Sequence, residues 1–168
     1  MKAIKFLALM LVALVGMTSC NDDDKENIQV WNYTGNNVVT VDKEYPPVTI
    51  TCKVTQRENG TIEVEMPEYQ LLNTTIGNLT IGAVTIKNIM YNTEKESYYR
   101  VFGKDGLKMH YKAEGARPME GDYEFNEDSE ITVKLMGNGK DGASIVLTYS
   151  FGKMPFKIIS DFEVAVNE

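Results

Sequence analysis

The chain's single histidine, His110, lies in "LKMHYKA". An imidazole does acid–base or nucleophilic work only beside a nucleophile and an orienting carboxylate. Strand alternation puts Leu107, Met109 and Tyr111 on one face and Lys108, His110 and Lys112 on the other, so the ring is expected in solvent between lysines. Neither a Gly-x-Ser-x-Gly elbow nor a Cys/His signature accompanies it. One histidine and two cysteines offer no spacing for a four-ligand zinc site. Carboxylates occur in close pairs, Glu63 with Glu65 and Asp122 with Glu124. Glycoside hydrolysis needs two carboxyl groups facing one bond with separated pKa values, and both pairs fall on alternating positions expected to face solvent. The stretch "GNGKDG" lacks the Lys-Ser/Thr and following helix of a phosphate loop. These patterns point to a non-enzymatic protein with no catalytic residue, no metal and no cofactor.

Aromatic side chains are the remaining candidates. Trp31, Tyr33, Tyr99, Tyr111, Tyr123 and Phe125 recur at strand-like spacing, and sugars or flat ligands stack on such rings. They form the candidate ligand surface, with core packing as the competing use. The stretch "SFGKMPF" reads as a bend between the last strands or as a rim contact.

The elements that must carry these rings are strands. In "VTITCKVTQ", Val48, Ile50, Cys52 and Val54 share one face, and Thr49, Thr51, Lys53 and Thr55 the other, making Cys52 a small buried hydrophobe. "TIEVEMP" alternates likewise, with Ile62, Val64 and Met66 inward. Between them "RENG" reads as a tight turn with positive φ at Asn59 and Gly60. A second hairpin joins "EITVKLM" to "SIVLTYSF" through a glycine-rich loop. "NLTIGAVTIKNIMYN", "SYYRVFG", "LKMHYKA", "DYEFN" and "FKIISDFEVAV" are further β-prone runs, and Gly77, Gly82 and Gly152 fit bulges or bends. About eight to ten antiparallel strands in a domain spanning 28–168 indicate an all-β fold, a closed barrel or a β-sandwich.

The opening segment has a different logic. Lys2 and Lys5 precede an apolar core from Phe6 to Val15, too short to span a bilayer and suited to a signal peptide over residues 1–19. Thr18 and Ser19 then lead into Cys20, an arrangement that resembles the lipobox of bacterial lipoproteins, where the cysteine is acylated. The polar "NDDDKEN" makes residues 20–27 a flexible acidic tether. It also resembles the acidic signal that sends some lipoproteins to the outer face of the outer membrane. Either the cell surface or the periplasmic face follows. With 24 acidic against 17 basic residues and net charge −7, nucleic acid is excluded as a partner, since phosphate binding needs a basic footprint.

"WNYTGNNVVTV", "ENGTIEVEMPEYQLLNTTIGNLTIGAVTI" and "LTYSFGKMPFKI" together resemble the lipocalin-like, calycin-like lipoproteins of gut bacteria. That resemblance implies an eight-stranded barrel and binding of a small molecule, a glycan fragment or a protein. Two functions therefore stand side by side: a membrane-anchored barrel that binds a small ligand or glycan, or an accessory subunit or inhibitor with a filled barrel. An open interior favours the first and a packed one the second.

Overall fold

A computed structural model describes residues 28–116, 118–154 and 156–164. The signal segment, Cys20 and the tether lie outside the described residues. Twelve strands follow in order: β1 (Gln29–Thr40), β2 (Val48–Gln56), β3 (Ile62–Met66), β4 (Tyr69–Thr74), β5 (Gly77–Ile81), β6 (Val84–Asn92), β7 (Ser97–Val101), β8 (Lys108–Glu114), β9 (Met119–Glu124), β10 (Glu130–Met136), β11 (Gly142–Tyr149) and β12 (Ile158–Val164). Eight of them close an antiparallel barrel in the order β1-β12-β11-β10-β7-β6-β3-β2, which decides between barrel and sandwich. The other four form a sheet in the order β4-β5-β8-β9.

The strand count exceeds the expected eight to ten because four long ribbons each break in two. β3 pairs with β6 while its continuation β4 pairs with β5, and the same exchange links β7–β8 with β9–β10. The breaks fall at Pro67, which cannot donate to a ladder, at Gly82, and at the segments joining β7 to β8 and β9 to β10. At Gly82 a Cβ would lie 2.8 Å from the His110 backbone oxygen, so only glycine admits that approach. "NLTIGAVTIKNIMYN" is thus two strands in two sheets.

Between β6 and β7 pairing extends only from Met90↔Tyr99 to Asn92↔Ser97. Asn88 takes a positive φ of 54°. The Arg100 guanidinium donates to the Lys87 carbonyl and binds Asp105 at 2.8 Å, replacing the missing ladder at this seam.

The barrel interior is mostly aliphatic and filled. Val54, Ile62, Val64, Ile86, Ile131 and Phe162 have no solvent exposure, and such burial of apolar surface is the main force holding the ring together. Cys52 is buried among them, and burial pushes its thiol pKa up to about 12. Two local expectations are corrected. Only Gly60 of the 57–60 turn has positive φ (78°); Asn59 instead accepts hydrogen bonds through Oδ1 from the Thr61 amide at 3.0 Å and its hydroxyl at 2.8 Å. Glu63, expected in solvent, is 8% exposed because Arg57 lies over it at 3.1 Å and Lys87 approaches to 3.9 Å.

Candidate functional site

One end of the barrel, its mouth, gathers the start of β1, the ends of β2 and β6, the start of β7 and the end of β10. A pocket of about 630 Å³ opens there. Its rings are Tyr91 and Tyr98, packed edge to face at 5.4 Å. Its amides are Gln29, Gln56 and Asn138, above a floor that includes buried Val133. Gln56 Nε2 donates to the Tyr98 hydroxyl at 3.2 Å and so fixes the ring's polar edge. Glu96 and Lys134 give the rim one charge of each sign. The pocket exists because β7 and β10 stop pairing at Tyr98↔Val133, after which the β6–β7 hairpin and the β10–β11 loop diverge. Stacking faces, side-chain amides and balanced charge suit a small neutral polar ligand.

The β10–β11 loop folds over the rest of the mouth. The Tyr33 hydroxyl donates to the Gly139 carbonyl at 2.5 Å. Gly139 has φ +87°, and a Cβ there would sit 2.7 Å from the Trp31 ring. Trp31 and Tyr33 therefore hold a loop, and burial raises the Tyr33 pKa to about 12.

The six rings singled out in the sequence fall into three places. Trp31 and Tyr33 pin the mouth loop. Tyr99 stands on the outer wall, its hydroxyl donating to Glu130 at 2.6 Å and its ring 4.2 Å from Lys95 Nζ. Tyr111, Tyr123 and Phe125 meet at the base, in a cluster with Phe102, Tyr149 and Phe151 whose ring centroids are 5.0–6.2 Å apart. No single surface presents all six.

At the base, polar groups run through the interior. Ser160 Oγ donates to Asn37 Oδ1 at 2.7 Å, and Tyr69 donates to Ser160 at 3.4 Å. The Tyr111 hydroxyl is buried without a partner among the described residues, and burial pushes its pKa up to about 12. The β1–β2 loop closes this end: Thr75 Oγ1 donates to Asp42 at 3.1 Å, while the Tyr45 hydroxyl donates to Asp42 at 2.7 Å. These bonds hold the Asp42 carboxyl below the usual carboxylate range, the Tyr45 bond contributing most.

His110 lies half exposed on the outer face of β8, with Nδ1 3.0 Å from Asp122 Oδ1 and Nε2 3.8 Å from Glu120. Carboxylates of β9, opposite it in the ladder, thus surround it rather than the lysines of its own strand. Glu65 is engaged by Lys53 at 2.6 Å. "SFGKMPF" makes the bend between β11 and β12, with Gly152 at φ +51° and the Met154 amide donating to the Phe151 carbonyl at 3.0 Å.

The pocket residues Gln29, Gln56, Tyr91 and Tyr98 were not among the sequence candidates. For Gln56, Tyr91 and Tyr98 the signal was position, each lying within a few residues of a turn at one end of the barrel.

The model of the calycin-like β-barrel domain family matches residues 31–164. No curated protein and no solved structure gave a match. A closed eight-stranded antiparallel barrel and a family match over four-fifths of its length place this chain in the calycin-like β-barrel family.

Proposed function

We propose that the protein is a lipid-anchored, non-catalytic binding module that takes a small ligand or short glycan at the mouth of its barrel. The carrying observation is the mouth pocket, with Tyr91, Tyr98 and three side-chain amides around about 630 Å³ of space beside a filled interior. Because the interior holds aliphatic side chains, the ligand sits on the barrel and not in it. Titration with a panel of neutral oligosaccharides, read by calorimetry, tests this. At least one binds, and Tyr98→Ala weakens it about tenfold, roughly 1.4 kcal/mol. Absence of binding across the panel, or binding indifferent to Tyr98, counts against the mouth.

Anchoring rests on the Cys20 context, with the acidic tether marking the outer membrane and its outer face. Several acyl chains hold firmly, at about 0.8 kcal/mol per buried methylene. Replacing Cys20 by Ala releases the protein from the membrane fraction, and retention overturns the anchor. Added protease removes the domain from intact cells, and protection assigns it to the periplasmic face.

The filled barrel favours a second reading, in which an outer surface meets a protein partner as an accessory subunit or inhibitor does. The two separate by where a partner's protection maps, at the mouth or elsewhere.

A further inference from the structure

The two walls of the mouth pocket carry opposite charges. Glu96 ends the β6–β7 turn and Lys134 lies on β10, and both line the pocket. Neither makes an ion pair, with the other or with any further side chain, among the described residues. Glu96 also holds a left-handed backbone, φ 48°, at a hairpin position that glycine fills at lower cost. Strain of this kind gathers where a ligand is held. Ser97, the next residue, lines the same pocket and is 1% exposed, and its hydroxyl has no hydrogen-bond partner within 3.5 Å among the described residues. Buried hydroxyls ordinarily have partners. A turn of χ1 to a neighbouring staggered setting lets this one meet a polar group brought into the pocket.

We propose that the ligand of the mouth is a short peptide with both termini free, its ammonium at Glu96 and its carboxylate at Lys134. The inference rests on the mouth being the binding site and narrows the class of ligand it takes. Each part of the lining has a counterpart in such a molecule. The carboxamides of Gln29, Gln56 and Asn138 donate and accept as peptide groups do. Val133 and Leu135 give an aliphatic side chain an apolar bed, and the exposed Tyr91 ring adds a cation–π partner for the ammonium. A neutral sugar makes no use of either charge. A ligand of one sign is attracted to one wall and repelled by the other, so only a molecule carrying both signs gains at both.

The test is a calorimetric titration of the intact protein, kept in mild detergent, with two probes. One is the dipeptide alanyl-leucine; the other is its N-acetylated, C-amidated form, which keeps the backbone and side chains and loses both charges. The free dipeptide binds saturably, and the blocked form binds about tenfold more weakly. Glu96→Gln and Lys134→Gln, both at exposed positions, each lower affinity for the free dipeptide about threefold, and together they close the gap between the probes. Affinity for the free dipeptide also falls as pH rises through about 8, where an α-amino group loses its proton. Equal binding of the two probes, or binding of the free dipeptide that is indifferent to Glu96 and Lys134, overturns the inference. If alanyl-leucine does not bind while a neutral oligosaccharide binds in a Tyr98-dependent manner, the peptide is wrong and the mouth stands. If neither binds, both fall.

Discussion

The upper ring of the barrel and its base solve the same packing problem with different side chains. In the ring eight strands close into one sheet, thinnest at the β6–β7 seam, and mostly Val, Ile and Leu fill the space. At the base four ribbons bend into a separate sheet, and rings fill the wider interior: Phe102, Tyr111, Phe125, Tyr149 and Phe151. Tyrosines bring hydroxyls with them, and those of Tyr111 and Tyr149 are buried with no hydrogen-bond partner within 3.5 Å among the described residues. The aromatic base gains volume at the cost of polar atoms that must be placed.

The contrast is most exposed at Phe125, which touches Phe102, Tyr149 and Phe151 at 5.0–5.6 Å between centroids. Phe125→Ala is expected to cost about 3–5 kcal/mol in urea unfolding; a cost under about 2 kcal/mol means that the base relaxes around the loss. Gly139→Ala brings a methyl against Trp31 at positive φ, and overpacking there costs about 1–3 kcal/mol. Hydrogen exchange then rises in residues 137–141 and not at the base; a rise at both ends ties together what the structure separates. Tyr111→Phe removes a buried hydroxyl with no partner, so stability holds or rises by about 1 kcal/mol. A loss of similar size reveals a partner for that hydroxyl. The smallest effect is local. Asp42 has a folded pKa lowered below 3.8, so its contribution to the base closure is fully present above that value and is lost as pH falls through the folded one. The Thr75 amide should exchange faster only under such acid conditions, and acceleration at neutral pH removes Asp42 from the closure.

Much of the ring was legible in the sequence because period two is unambiguous there. The alternation of "VTITCKVTQ" and "TIEVEMP" placed Cys52, Val54, Ile62 and Val64 inside, where they lie. Alternation gives a face but not which half of a bent ribbon a residue occupies, so Tyr99 and Tyr111 looked equivalent and lie in different sheets. In "SYYRVFG" the phase itself was open: Tyr99 drew attention, yet the cross-strand pairing Tyr98↔Val133 turns Tyr98 inward, and a one-residue change of phase exchanges the two faces. Burial of Glu63 depends on Arg57 and Lys87, one across a turn and one across a strand pair, which no local pattern encodes. The mouth pocket arises where two hairpins diverge, and divergence is a property of the assembled ladder.

β1 enters the barrel at the mouth, and the sheet of β4, β5, β8 and β9 lies at the opposite pole. Nine steps of chain separate Cys20 from Gln29, a leash of about 30 Å at full extension. With the anchor proposed at Cys20, the mouth is the end of the barrel next to the point of attachment. The base sheet then lies at the end of the barrel remote from that attachment.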